Sequence, residues 1–327
     1  MAGHDTAHVS NCVRGSNPSV NDADFSYVSR IQKVIPAAMS DFETDATFND
    51  NAAFSPQNLE VEQKTFAWTA APNEKFVIWE YTLKNTHATD TLKTLYAGVF
   101  ADWDIDGSTF AQNRSAYDAA TKMGYSYYTA TGGKYAGIKL LTSNGSPNFY
   151  AMDNVTGGSG GIDPTDGYTT KEKYLTLSTP RLAAGVSGNG NDIINVMSTG
   201  PFVLNPGQTV KVAFALLGGD SLSDLKTHAN QAQVVYNGLP TKTDVITDGN
   251  IQLNIYPNPA TQRLVISSAQ VILESYEIRN PGGQLIGAAP VQSNQATVDV
   301  SGFAEGVYFI HVRTRQGELV KKFIKLK

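Results

Sequence analysis

Three aspartates alternate along a short stretch of the chain, Asp102, Asp104 and Asp106, and Gly107 follows the last of them. Alternate carboxylates can turn inward on one hard cation, and a glycine allows the sharp bend that such a loop needs. The pattern is the opening of a D-x-D-x-D-G calcium loop. Its twelfth position holds Asn113 instead of the bidentate glutamate of an EF-hand. The residues before it, Leu95 to Phe100, read as strand, so an EF-hand is excluded. The expectation is a Ca2+ site at a strand end, built from Asp102 and Asp104 first, then Asp106 and Asn113. The competing reading is a solvated acidic turn whose carboxylates cap a following helix.

No catalytic set competes with this loop. The five histidines, His4, His8, His87, His228 and His311, are scattered. His4 and His8 stand four apart, but no acid accompanies them on a helix, which makes them a poor zinc pair. There is no Gly-x-Ser-x-Gly elbow. Glu60 and Glu62 lie two apart and would share one face of a strand, with nothing to mark them as a glycosidase pair. The Gly157 to Gly161 run has no Lys-Ser/Thr after it and reads as a flexible loop, not a phosphate cradle. Cys12 is the single cysteine, so an internal disulfide, a thiolate zinc site and a CxxC pair are all excluded; a buried thiol is expected.

The elements that must position these residues are strands. Charged residues make up 17% and hydrophobic ones 41%, a globular balance. Tyr, Phe and Gly are abundant together with Thr, Asn and Ser, the composition of antiparallel sheet with many turns. Strands are expected at 59–68, 76–85, 94–103, 135–141, 149–153 and 210–217. The segment from Phe76 to Asn85 is apolar on both faces at its centre, as in the middle of a sandwich. Asn205-Pro206-Gly207-Gln208 is a turn, because Pro fixes φ at its first central position and Gly supplies a positive φ at the second. Two helices are expected: a short one over 113–123 and a clearer one capped by Ser221, with Leu222, Leu225, Ala229, Ala232 and Tyr236 on one side. Residues 154–173 are expected as a long loop.

A net charge of −5 and the lack of any basic stripe argue against a nucleic-acid partner. No window approaches the ~20 apolar residues of a membrane helix. A polar connection at 242–250 divides the chain. Residues 251–327 carry eight Lys and Arg against five Asp and Glu, a net of +3, which leaves −8 on the rest.

After that connection come four motifs in fixed order. Ile255-Tyr256-Pro257-Asn258-Pro259 separates one strand from the alternating strand 263–267. A strand at 275–280 turns at Pro281-Gly282-Gly283. Val298-Asp299-Val300-Ser301 precedes Gly306-Val307-Tyr308, and Gly317 turns the chain into the basic strand containing Lys321, Lys322 and Lys325. This series resembles the type A C-terminal sorting domains of the type IX secretion system of Bacteroidota. The resemblance implies that Pro257, Asn258, Pro259, Gly306, Tyr308, Gly317, Lys322 and Lys325 belong to the signal. It implies passage through the periplasm, recognition by the type IX translocon and sorting machinery, a secreted or outer-membrane surface destination, and attachment to anionic lipopolysaccharide after cleavage. The terminal strand and its sheet edge are expected to be open to the translocon.

The larger part resembles, more loosely, the accessory region downstream of subtilisin-like peptidase domains in type IX substrates, through residues 94–107, Met123-Gly124-Tyr125, 193–202 and 213–220. Any peptidase site would then lie upstream of Met1, and this chain would be the non-catalytic tail of a longer precursor, since residues 1–6 have no signal-peptide character. The fold expected is all-β: a large antiparallel β-sandwich over 1–241 with one or two covering helices, and a small Ig-like β-sandwich over 251–327. Two other functions stay open. One is a carbohydrate-binding or adhesion module using Trp68, Trp79, Tyr125, Tyr127 and Tyr128; the other is an enzyme with an unfamiliar site.

Overall fold

The computed structural model describes residues 1–239 and 253–327, except Pro36, Ala38, Gly107, Thr109, Thr131, Arg315 and Gln316. The connection expected at 242–250 lies outside the described residues. The chain divides into two compact units, Met1–Ala232 and Gln233–Lys327.

In the first unit the strands are β1 Ala2–Asp5, β2 His8–Ser10, β3 Ser26–Lys33, β4 Phe42–Asn49, β5 Leu59–Ala67, β6 Phe76–Asn85 and β7 Leu92–Trp103. They continue with β8 Asn113–Asp118, β9 Met123–Tyr128, β10 Tyr135–Leu140, β11 Ser146–Asp153, β12 Ala183–Ala184, β13 Ile193–Leu204 and β14 Thr209–Gly219. Helix α1 spans Thr170–Ser178, and α2, Leu222–Gly238, begins in this unit. Among the described residues there are two sheets, ordered β11-β13-β7-β1-β2 and β12-β8-β9-β10-β14-β6-β5-β4-β3. Neighbouring strands within each sheet run antiparallel.

The sheets face each other across a core that includes Leu59, Val61, Leu83, Leu140, Phe149, Met197, Val212 and Phe214. Strand β13 explains its own apolar run. Ile193 and Met197 point into this core, while Ile194 and Val196 join Tyr168 and Leu177 in a second cluster on the other face. Leu177 lies on α1, so this helix covers the five-stranded sheet. On the outer face of the larger sheet Ile78, Ala213 and Ala215 are buried, and α2 lies there. Its His228 ring Nδ1 is 2.9 Å from the Gly218 carbonyl, Lys226 pairs with Asp118, and Gln231 donates to Asn73 at 2.9 Å.

Three local expectations need correction. Residues 113–123 form β8 and the turn into β9, not a helix: Tyr117 stacks on Phe149 at 5.7 Å in the core, and Asp118 Oδ1 accepts from the Thr121 amide to close the hairpin. Burial of alternate side chains outweighs the helix propensity of Ala119 and Ala120. The second helix is instead α1, inside the expected loop, capped by a reciprocal Thr169–Glu172 box. Cys12 is exposed, not buried. The 205–208 turn forms as expected, with Gly207 at φ +76° and the Gln208 amide donating to the Asn205 carbonyl at 2.9 Å.

The second unit contains β15 Asn254–Tyr256, β16 Arg263–Ser267, β17 Leu273–Arg279, β18 Leu285–Ser293, β19 Gln295–Asp299, β20 Gly306–Thr314 and β21 Gly317–Lys325. They form sheets β15-β16-β19 and β18-β17-β20-β21. Leu264, Ile266, Val298, Ile310, Val312 and Phe323 are buried together in its core. The chain is thus an all-β protein with covering helices and a small C-terminal sandwich.

Candidate functional site

The antiparallel ladder between β7 and β13 pairs Trp103 with Ile193 and Asp102 with Ile194. Asp104 and Asp192 follow directly at the ends of these two strands, near enough for the Asp104 charge to act on Asp192. Antiparallel partners share a face and alternate residues return to it, so Asp102, Asp104 and Asp192 occupy one side of the strand ends. Arg14 reaches the same place. Its Nη2 lies 3.7 Å from Asp102 Oδ2, and its Nη1 donates to Asn154 Oδ1 at 2.8 Å and to the Pro164 carbonyl at 3.1 Å. Asn154 in turn donates through Nδ2 to Asp192 Oδ2 at 2.7 Å.

Asp102 and Asp192 both feel the Arg14 guanidinium. Asp102 is 46% exposed, yet solvent lost on its inner side and the nearby Asp192 charge push its carboxyl up to about 6, with Arg14 pulling the other way. Burial also raises Asp192, reinforced by Asp104 and opposed by its hydrogen bond from Asn154. A second cation of hard character would relieve this repulsion, and the donors are all oxygens.

The other residues of the expected calcium loop take different positions. Asp106 is exposed in a turn at φ +59°. Asn113 is fully buried and clamps the loop: its Nδ2 donates to the carbonyls of Phe110 at 2.8 Å and Trp103 at 3.3 Å. Its Oδ1 and Asp192 Oδ1 are buried without a partner among the described residues. Among the described residues a 3-10 turn at Phe110–Gln112 and then β8 follow the aspartates, where the helix to be capped was expected. Among the described residues, the carboxylates of this loop are not gathered within 4.8 Å of one another as a closed ligand set. The sequence reading missed Asp192 and Arg14, which reach the loop from 90 residues downstream and 88 upstream; only the β7–β13 pairing shows the former.

Of the aromatic candidates, Tyr125 and Tyr127 belong to a stack of tyrosines. Tyr127 and Tyr135 stack at 5.1 Å with planes 11° apart, and Tyr125 leans on both. Rings stacked on each other turn edges outward, whereas a sugar face packs on a ring face. Trp68 packs on Phe76 at 5.6 Å. Between the two sheets lies a cavity of about 310 Å³. Its polar lining side chains are Gln63, Tyr81 and Cys12, with no carboxylate or imidazole. Burial pushes the Tyr81 phenol up to about 12, far from a general base near neutrality.

In the second unit the motif residues meet. Tyr308 is buried, its hydroxyl donates to the Ala304 carbonyl at 2.9 Å, and its ring stacks on Phe323 of β21 at 5.5 Å. Gly306 opens β20 at φ +152° and pairs with Lys325, while Gly317 begins β21. Asn258, held between Pro257 and Pro259, grips the last strand from the side. Its Oδ1 accepts from the Ile324 amide at 2.9 Å and its Nδ2 donates to the Lys322 carbonyl at 3.3 Å. Ala260 continues the contact, accepting from Leu326 and donating to Ile324. The edge of β21 expected to be open is therefore partly closed by its own chain, because unpaired edge groups find the nearest partner. Lys321 and Lys322 remain exposed, whereas Lys325 is 4% exposed with its Nζ on the Leu326 carbonyl.

Among the described residues no helix is long and apolar enough to cross a membrane. No curated protein matches the chain. Solved structures with a likeness include a polysaccharide lyase, at 8% identity and a TM-score of 0.31 over 86% of this chain and 35% of that one. A heparinase III gene product follows at 7% and 0.34, over 94% and 30%. A heparan sulfate lyase mutant from Pedobacter heparinus stands at 9% and 0.31, over 80% and 28%. The chain thus spans about a third of the length of these proteins. Residues 254–326 match the family described as the secretion system C-terminal sorting domain. This segment is a type IX sorting domain, and it marks the chain as a secreted or cell-surface protein.

Proposed function

We propose that residues 1–232 are a non-catalytic accessory module of an exported precursor, carried to the cell surface by the domain that follows. The match at 254–326 carries this reading, together with a fold in which Asn258, Tyr308 and Phe323 lock the terminal strand. In this account the type IX translocon reads the exposed Lys321 and Lys322 and the sandwich face. The domain is then removed and the module is joined to lipopolysaccharide. A peptidase-bearing precursor suits the accessory resemblance of the first unit. Grafting residues 253–327 onto a periplasmic reporter in a type IX-competent host tests the address. Export of the graft agrees with it, and a graft that stays in the periplasm would refute it.

The module's acidic strand end is proposed as a Ca2+ site made by Asp102, Asp104 and Asp192, with Asn113 holding the loop in shape. Support comes from the raised carboxyls, the all-oxygen donors and the two partnerless buried oxygens. Calcium should raise the melting temperature of the wild type and leave Asp102→Asn unmoved. An unchanged midpoint of the wild type with calcium and with chelator would reject the site.

A further inference from the structure

A second cluster lies on the β1–β2 hairpin, and its donors differ in kind from those of the aspartate loop. Asp5 and His8 are cross-strand partners at the hairpin tip, and the register shifts between Gly3 and Asp5. That irregularity lets His4 stack on His8 with centroids 4.9 Å apart. Asp5 bridges one nitrogen of each ring: Oδ1 is 2.8 Å from His8 Nδ1 and Oδ2 is 3.4 Å from His4 Nε2. One ligand atom from each of the three residues falls within 4.8 Å of the others.

The surrounding hydrogen bonds fix which nitrogen of His4 is free to bind. Gln57 is 1% exposed, and its Nε2 donates to the Ala2 carbonyl at 2.9 Å and to Ser10 Oγ at 2.8 Å. Ser10 spends its own proton on Asp50 Oδ2 at 2.8 Å, so toward Gln57 it can only accept. The amide orientation follows, and Gln57 Oε1 faces His4 Nδ1 at 2.8 Å. Nδ1 must therefore be the donor, and in the neutral ring the lone pair sits on Nε2, pointing at Asp5. A buried acceptor that holds one ring N–H and aims the other nitrogen outward is the usual support of a metal-ligating histidine.

We propose that His4 Nε2, Asp5 and His8 Nδ1 bind one divalent transition-metal ion of borderline softness, with Zn2+ as its representative. Two imidazoles and a carboxylate suit such an ion, whereas Ca2+ prefers oxygen alone. The side chains are 21%, 47% and 38% exposed, so the ion enters from solvent and keeps water in its remaining positions. In the free protein one proton joins His8 Nδ1 to Asp5. Binding replaces that hydrogen bond with two metal bonds: a neutral His8 carries its proton on Nε2 instead, with no net release, and only an imidazolium gives a proton up to solvent.

Zn2+ titration of the full chain, followed by calorimetry, tests the site. His4→Ala, His8→Ala and Asp5→Asn serve as variants, each retaining His87, His228 and His311. The expected result is one equivalent bound by the wild type, and affinity at least about tenfold weaker in each variant. Wild-type affinity in His8→Ala and Asp5→Asn would overturn the assignment. Should a variant fail to fold, nitrogen chemical shifts of the wild-type histidines decide. Zn2+ must move His4 Nε2 and His8 Nδ1 first, and movement confined to other histidines overturns it.

Discussion

Asn195 on β13 accepts a hydrogen bond from the indole N–H of Trp103 at 2.9 Å, and its amide nitrogen crosses the sandwich to Ser115 Oγ at 3.0 Å and Ser126 Oγ at 2.9 Å. One buried amide thus ties the strand that carries the aspartates to the opposite sheet. Asn195→Ala strands the indole N–H, at about 1–3 kcal/mol for a buried group left unmatched, while Ser126 Oγ still donates to Ser115 Oγ and Ser115 Oγ to the Tyr125 carbonyl. The expected loss is about 1–3 kcal/mol in urea unfolding of the first unit. A loss below about 0.5 kcal/mol, the level of a neutral surface change, would show that the bolt contributes nothing.

Lys139 gives the first unit a pH signature. It is 4% exposed, its Nζ donates to the Thr121 carbonyl at 2.5 Å, and burial, aided by Lys122, lowers its ammonium to about 8 from 10.5. Between those values the unfolded chain holds more protons than the native one, so stability rises as pH increases from about 8 to 10.5. Below about 8 the full cost of the buried charge is present. Lys139→Met should melt higher than wild type at pH 7, and the gap should narrow as pH rises. A gap that stays constant across that window contradicts the assignment.

Asn258 closes the edge of the final strand. Asn258→Ala removes both side-chain bonds to β21 and is expected to cost about 1–2 kcal/mol in the sorting domain. Amide exchange at Ile324 should quicken more than at Ile310 in the interior of β20. Equal protection in variant and wild type would mean that Ala260 alone holds the edge.

Strand β3 ends the larger sheet with Tyr27, Val28 and Ile31 all more than half exposed. Arg30 lies 4.1 Å over the Tyr27 ring, the kind of charge that blunts an edge. Ile31→Lys should raise the concentration at which the protein aggregates while changing stability by less than about 0.5 kcal/mol. Earlier aggregation of the variant would contradict this.

What could be read from the sequence follows from which elements are buried on one face or both. Strands β5, β6, β7, β10, β11 and β14 announce themselves by apolar alternation or by a doubly buried centre such as Ile78 with Tyr81. The sorting domain is legible because its turns are made by Pro and Gly at fixed offsets. Strands β1 to β4 are not, since Thr44, Asp45 and Thr47 at one edge of the sheet carry little apolar signal. Helix α1 did leave a mark in the Thr169–Glu172 capping box, hidden within a Gly-rich stretch. Asp192 belongs beside Asp104 only through strand pairing, and the four-residue spacing of His4 and His8 suggests a helix where a bulged hairpin does the work.

The claim on which the rest depends is that the small C-terminal sandwich is the export address. Deleting residues 253–327 from the gene in its host and fractionating the culture tests it directly. The account predicts that the shortened protein accumulates in the periplasm and is missing from the medium and the outer surface. Normal amounts of it outside the cell would contradict the account.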